Sequence, residues 1–124
     1  MTDWLKMCRA NESFSVEGNK VRVQLGEQRH HHVEIHDTGE ALELRAIVAR
    51  RRSISEIDDL AIRAWLRNRS TQLLGFKIDK RGHLVGETWL PKSGLTKEEL
   101  HLYIRKVALE SDRFEYLLTG KDKG

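Results

Sequence analysis

The sequence is poor in the residues that cross-link, interrupt or anchor a chain. Its 124 residues include one cysteine, Cys8, and one proline, Pro91. A single cysteine excludes an internal disulfide framework and is typical of the reducing cytoplasm, which is the compartment we expect. No apolar run approaches the ~18 residues of a membrane span, and the N-terminus lacks the pattern of a secretory signal. We therefore expect no membrane partner.

The composition limits the chain to one ordinary packed core. Hydrophobic residues make up 39% of the sequence and charged residues 33%. This length and apolar content suit one domain and are too small for two. We expect a single domain over residues 1–120, followed by a disordered tail at 121–124.

The positive charge is concentrated in one segment. The formal net charge is +3, and residues 41–70 hold seven arginines and four acids, which accounts for the whole excess. Candidates for a basic patch are Arg50, Arg51, Arg52, Arg63 and Arg67. Binders of nucleic acid often interleave aromatic residues with basic ones, but here no aromatic residue lies between Phe14 and Trp65. A solvated charged surface is therefore favoured, and nucleic acid is not the expected partner.

Alternating apolar and polar residues predict strands in two groups. The first group covers residues 21–25, 31–35 and 42–48, which are joined by short turns and form an antiparallel meander. The second covers residues 74–78 and 84–90, joined by a tight turn that contains glycine.

Helical periodicity predicts three helices around these strands. They cover residues 3–10, a segment that starts at Ser53 and ends near residue 68, and a long segment from Thr96 to Gly120. The predicted core face of the middle helix consists of Ile57, Leu60, Ala61, Ala64 and Trp65. The order α-βββ-α-ββ-α indicates an α+β sandwich in which helices pack against an antiparallel sheet.

A row of histidines is the most obvious candidate for chemistry. In a strand over residues 30–36, neighbouring side chains on one face lie ~6.6–7 Å apart. The side chains that share this face are His30, His32, Glu34 and His36. Two histidines at that spacing can reach one Zn²⁺ or Cu²⁺. A solvent-facing polar row is the favoured interpretation, with His30, His32 and His36 kept as metal candidates.

Catalytic motifs are scarce. Cys8 has no motif around it that would activate a nucleophile, and no glycine-rich loop follows a strand into a helix. The acidic pairs at 58–59 and 98–99 lie at helix starts, where the helix dipole accounts for them. We expect no enzyme and no cofactor.

Two elements carry apolar residues behind their predicted core faces. Ile62 and Leu66 lie on the back of the middle helix, and Val85 and Trp89 lie on the back of the last strand. Such surplus indicates a third layer or a partner. A partner is favoured for Ile62 and Leu66. For the other pair, a partner and an internal cover by the N-terminal helix with Trp4 stand equal.

Several segments together resemble the YbjN family, which is grouped with type III secretion chaperone-like proteins. These are LRNR at 66–69, GFKIDKRGHLV at 75–85, LP at 90–91, LTKEEL at 95–100 and VALESDRF at 107–114. The resemblance implies a chaperone-like α/β sandwich without cofactor or catalytic residues. It also implies a homodimer that binds an extended client segment on apolar patches. Dimer contacts in such chaperones commonly use the helix between the strand groups, which here carries Ile62 and Leu66.

Two functions follow as hypotheses. The first is a non-enzymatic protein-binding module, chaperone-like or regulatory, whose partners are a second copy and a client protein. The alternative is a sensor that responds to metal through the His30/His32/His36 row, or to nucleic acid through the basic segment 50–69. The first hypothesis rests on analogy of fold, which does not by itself establish function. It therefore has to be tested on the exposed apolar residues of this chain.

Overall fold

The predicted meander forms, with one strand added at its start. The computed structural model describes residues 3–120, so the tail expected at 121–124 lies outside the described residues. The first four strands are β1 (Phe14–Glu17), β2 (Lys20–Gln24), β3 (His30–Asp37) and β4 (Ala41–Ala49). The hairpin β5 (Gly75–Ile78) and β6 (Leu84–Pro91) completes one antiparallel sheet in the order β1-β2-β3-β4-β6-β5.

Within the described residues, four helices accompany the sheet. They are α1 (Trp4–Arg9), α2 (Arg51–Ile54), α3 (Leu60–Ser70) and α4 (Lys97–Thr119). The predicted α+β class, an antiparallel sheet packed with helices, is confirmed. The order differs from the prediction in two places, because β1 precedes the three predicted strands and the middle helix is divided into α2 and α3. Among residues 3–120, no helix is long and apolar enough to cross a membrane.

The long helix α4 lies across one side of the sheet, which we call the inner face. Thr96 and Glu99 form the predicted capping box, and Gly120 ends the helix in the left-handed region at φ 68°. The alternating residues of β2, β3 and β4 that point inward are buried against α4, whereas their neighbours point to the opposite, outer face. The long helix thus covers the central strands β2, β3, β4 and β6 on the inner face.

The core is divided into two clusters. The first lies between α4, α1 and strands β1 to β4. Its largest fully buried side chains include Val33, Ile35, Leu42, Leu44, Leu100 and Ile104. The second lies under α3 and the C-terminal part of α4, and its buried members are Val48, Ala49, Phe76, Leu84 and Phe114. Both clusters exclude water from one side of the same sheet.

The sheet opens between its two central strands. β3 and β4 pair from Asp37↔Leu42 to Glu34↔Arg45, and no pairing between them continues beyond that point. The rest of β3 pairs with β2, and the rest of β4 pairs with β6 after a bulge between Ile47 and Ala49. The opening therefore lies at the junction of the two core clusters.

The division of the middle helix has a packing cause. Backbone turns of the 3₁₀ type join Glu56 to Ser53 and Ile57 to Ile54, and Asp59 adopts a left-handed φ of 55° before α3 begins. This path places both Ile54 and Ile57 against the second core cluster. Burial of two isoleucines thus replaces the continuous helix that was predicted from Ser53.

Gly86 marks the closest approach between the sheet and α4. A Cβ atom on Gly86 would lie 2.5 Å from Ser111 Oγ and 2.9 Å from the Phe76 ring. We therefore expect Gly86→Ala to lower the free energy of unfolding by about 1–3 kcal/mol through overpacking. Urea denaturation measures the loss, and Gly86→Ala/Ser111→Ala should recover part of it.

The matched control is Gly26→Ala. Gly26 is exposed, and its nearest neighbour would lie 4.0 Å from the added Cβ atom. Its free energy of unfolding should change by no more than about 0.5 kcal/mol. A Gly86→Ala variant as stable as the wild type would contradict the close approach.

Candidate interaction surfaces

Helix α3 packs with an unusual distribution of charge. Its inward side carries Leu60 and Ala64, which contact the second core cluster, together with Arg63 and Arg67. The Arg63 guanidinium donates to the carbonyl oxygen of Leu117 at 2.9 Å. A helix on a protein surface normally turns such side chains to solvent. Here two cations are directed toward α4 instead.

The contact of Arg67 explains this orientation. Its guanidinium lies 3.5 Å from a carboxylate oxygen of buried Glu110 and 5.8 Å from the centre of the Phe114 ring. An ion pair and a cation–π contact thus anchor α3 to α4 at the same point. The predicted basic patch accordingly loses Arg63 and Arg67, whose charged groups make contacts within the protein.

The outward side of α3 is apolar. Ile62 is 59% exposed, Trp65 59% and Leu66 50%. We call these three residues the α3 patch. The exposure of Ile62 and Leu66 was predicted, but the placement of Trp65 in the core was wrong, because α3 directs Arg63 and Arg67 toward α4. The guanidinium of Arg69 lies 5.1 Å from the centre of the Trp65 ring and covers part of it.

The other residues predicted to contact a partner, Val85, Trp89 and Trp4, do not form one surface. Trp89 lies on the outer face of the sheet and is 57% exposed, but Val85 is fully buried, so the prediction that Val85 contributes exposed apolar surface was wrong. Trp4 is half-buried against the first core cluster on the inner face. It therefore does not form the internal cover over Val85 and Trp89 that was one of the two open alternatives.

A groove borders Trp89 on the outer face. It encloses about 410 Å³ and is lined by charged residues of both signs, Glu43, Arg45, Lys77 and Glu87. Glu87 pairs with Lys77 at 2.8 Å and with Arg45 at 3.2 Å. The groove is thus largely neutralised by its own side chains, with Trp89 as its apolar wall.

The three consecutive arginines lie apart from α3. Arg50, Arg51 and Arg52 are exposed around α2, and the Arg51 side chain lies beside Gly82 of the β5–β6 hairpin. The residues predicted as one basic patch therefore divide between an exposed turn and the α3–α4 contact. This division weakens the nucleic-acid hypothesis.

The histidine row lies on the outer face, as predicted, in a cationic environment. The rings of His30 and His32 contact each other edge to face, with centroids 5.3 Å apart. Arg22 lies 3.3 Å from Nδ1 of His30. The pKa of His32 is lowered, first by desolvation and then by the positive charges of its neighbours, which are His30, His31, Lys20 and Arg22. Such neighbours oppose binding of a further cation.

His36 lies farther along the same strand. It follows His32 by four residues, which is about 13 Å in a strand, too far for one ion to bind both rings. The three predicted ligands His30, His32 and His36 are therefore not brought together at one point.

Sequence reasoning missed a buried polar group on the inner face. His31 and Asp112 are 5% and 2% exposed. Nε2 of His31 lies 2.8 Å from the carbonyl oxygen of Ile47, and Arg29 pairs with the carboxylate of Asp112. The available signal was the position of His31 on the same face as Val33 and Ile35. A histidine in line with core residues is buried, so it requires polar partners.

Comparisons with known proteins support the fold. No family model and no curated protein matches the sequence. A chain of the ExoU–SpcU heterodimer from the type III secretion system of Pseudomonas aeruginosa matches with a TM-score of 0.65 and 12% identity, over 98% of this chain and 100% of that one.

Two further solved structures agree. A chain of the HopA1–SchA chaperone–effector complex has a TM-score of 0.52 and 11% identity, over 94% of this chain and 89% of that one. YbjN from E. coli has a TM-score of 0.54 and 16% identity, over 93% and 82%. The predicted resemblance to YbjN and type III secretion chaperones is thus confirmed at the level of the fold.

The buried position of Cys8 predicts that its thiol is unreactive in the native protein. Cys8 is fully buried, and burial raises the pKa of its thiol to about 12. Because only the thiolate attacks disulfide reagents, we expect no reaction with Ellman's reagent at pH 8 in the native protein. One thiol per chain should react in denaturant. Rapid labelling of the native protein would show that Cys8 is accessible and would reopen its candidacy as a nucleophile.

Proposed function

We propose that the chain is a non-enzymatic protein-binding module that contacts another polypeptide through the α3 patch. The observation that carries this proposal is that α3 directs charged side chains toward the protein and large apolar side chains toward solvent. Arg63 and Arg67 are used inside the protein, while Ile62, Trp65 and Leu66 are exposed together. An exposed group of large apolar side chains is typical of an interaction site.

The chemistry of the patch suits a protein partner. Burying a leucine or isoleucine side chain contributes about 1.5–3 kcal/mol, and tryptophan is enriched among residues that dominate binding energy. Arg69, stacked on Trp65, supplies a polar rim beside the apolar centre. The patch thus combines an apolar anchor with a charged border.

The similar structures support the same kind of role. The names of two of them describe a heterodimeric complex from a type III secretion system and a chaperone–effector complex. Proteins of this fold therefore occur in complexes with other proteins. We extend this property to the present chain by analogy of fold and by the exposed patch.

A second copy of the chain is the occupant that we assign to the α3 patch. The resemblance to secretion chaperones implies a homodimer that uses the helix between the strand groups, and α3 is that helix. The groove beside Trp89 lies on the outer face and is left for a client segment. Its paired charges would admit an extended polar chain, with Trp89 as the apolar contact.

The α3 patch is tested by Ile62→Glu/Leu66→Glu. We expect the wild type to be a dimer in light scattering at high micromolar concentration and this variant to be a monomer. Two unpaired carboxylates from each chain in an apolar interface cost several kcal/mol, which weakens the dimer by at least about 100-fold. Circular dichroism should remain unchanged, because both residues are exposed.

Leu102→Glu is the matched control, since Leu102 is a 55%-exposed leucine on α4. This variant should remain a dimer. A wild type that stays monomeric at high micromolar concentration would refute the homodimer. Equal disruption by Leu102→Glu would refute the assignment to α3.

A further inference from the structure

The opening between β3 and β4 brings three metal-binding residue types together. His31 lies on the part of β3 that has left β4, and α4 contributes Asp112 and Glu115. One ligand atom from each residue lies within 4.8 Å of the other two. Asp112 and Glu115 are three residues apart, so the helix presents them on the same side.

The hydrogen bonding of His31 leaves one nitrogen directed at this cluster. Nε2 lies 2.8 Å from the carbonyl oxygen of Ile47. Because a carbonyl oxygen only accepts, Nε2 must carry the hydrogen, and the neutral ring then has its lone pair on Nδ1. That nitrogen faces a carboxylate oxygen of Asp112. Two lone pairs that face each other require a cation between them.

The separation of these two atoms distinguishes the possible cations. Nδ1 of His31 and Oδ1 of Asp112 are 3.5 Å apart. A charge-assisted hydrogen bond between them would be about 2.7–2.9 Å long. Two ligands at ~2.0–2.2 Å from a tetrahedral zinc ion are separated by about 3.3–3.5 Å. The distance therefore fits the edge of a tetrahedral metal site better than it fits a shared proton.

The outer contacts match those of metal ligands. A histidine that binds a metal through one ring nitrogen usually donates a hydrogen bond from the other N–H to a carbonyl or carboxylate oxygen. Nε2 of His31 has such a partner here, the carbonyl oxygen of Ile47. Arg29 pairs with Oδ2 of Asp112 and leaves Oδ1 directed at His31. Two carboxylates and one guanidinium give the cluster a net charge of about −1. A bound divalent ion would change this net charge to about +1, which is small.

An entry path is also present. A cavity of about 650 Å³ is lined by His31, Glu115 and Thr119, with Ile47 and Ala49 of β4. It reaches the cluster from the opening in the sheet. An ion could enter this way, and water could occupy the fourth coordination position.

We propose that Nδ1 of His31 and the carboxylates of Asp112 and Glu115 form a site for a divalent transition metal, with Zn²⁺ as the ion that it best fits. Imidazole with carboxylate oxygens is a ligand set that zinc accepts, and four-coordination matches the 3.5 Å between the His31 and Asp112 ligand atoms. The bound ion would connect β3 to α4 at the junction of the two core clusters. Its ligands are separate from those of the histidine row, of which His32 lines the same cavity.

Calorimetry with zinc chloride on tag-free full-length protein tests the site. We expect one Zn²⁺ per chain with micromolar or tighter affinity, and a rise in melting temperature at saturating zinc because the folded state binds the ion. Glu115→Gln should weaken binding by about tenfold or more while the protein stays folded, since Glu115 is only half-buried. His31→Gln should lose binding as well.

The control is His30→Gln/His32→Gln, which removes the adjacent row and leaves the proposed ligands. Its zinc affinity should stay within about threefold of the wild type. Binding weaker than about 1 mM in the wild type would overturn the proposal. So would loss of binding in the control together with unchanged binding in Glu115→Gln, because the ion would then be held by the outer histidines.

Discussion

The structure depends on one helix that packs on both parts of a divided sheet. The first half of α4 supplies Leu100, Ile104 and Val107 to the first core cluster, and its last turns supply Phe114 and Leu118 to the second. Between them, Gly86 allows the helix to approach the sheet near Ser111. Since β3 and β4 separate at this level, α4 adds to their short pairing in holding the two parts of the sheet in one layer.

This constraint explains the roles of the other helices. α4 is too narrow to cover six strands, so α1 covers the side near β1 and α3 covers the side near β5. α3 contributes few apolar side chains inward, and the polar contacts of Arg63 and Arg67 with α4 compensate. Its large apolar residues are left outside. The α3 patch thus follows from how α3 is attached, as well as from its composition.

Local patterns predicted the elements whose burial follows their own periodicity. Strands β2 to β4 alternate regularly, and α4 has a capping box and a glycine stop, so all four were found. The failures have tertiary causes. Val85 is buried despite its position on the back of the strand, and Ile57 leaves the helix to pack against the second cluster. Neither effect is visible in a local window, because both depend on residues far away in the chain.

The contacts of the edge strand β5 limit how a partner can bind. β5 is an edge strand, and such edges readily accept another strand. Here the Asn68 side chain donates to the Phe76 carbonyl oxygen at 3.1 Å and accepts from the Phe76 N–H at 2.7 Å. Asn68 thereby occupies the N–H and carbonyl groups of Phe76, which an added strand would need. A strand that is added along the whole of β5 must therefore displace the Asn68 side chain, whereas the α3 patch, on the helix that carries Asn68, presents its large apolar side chains without such a change.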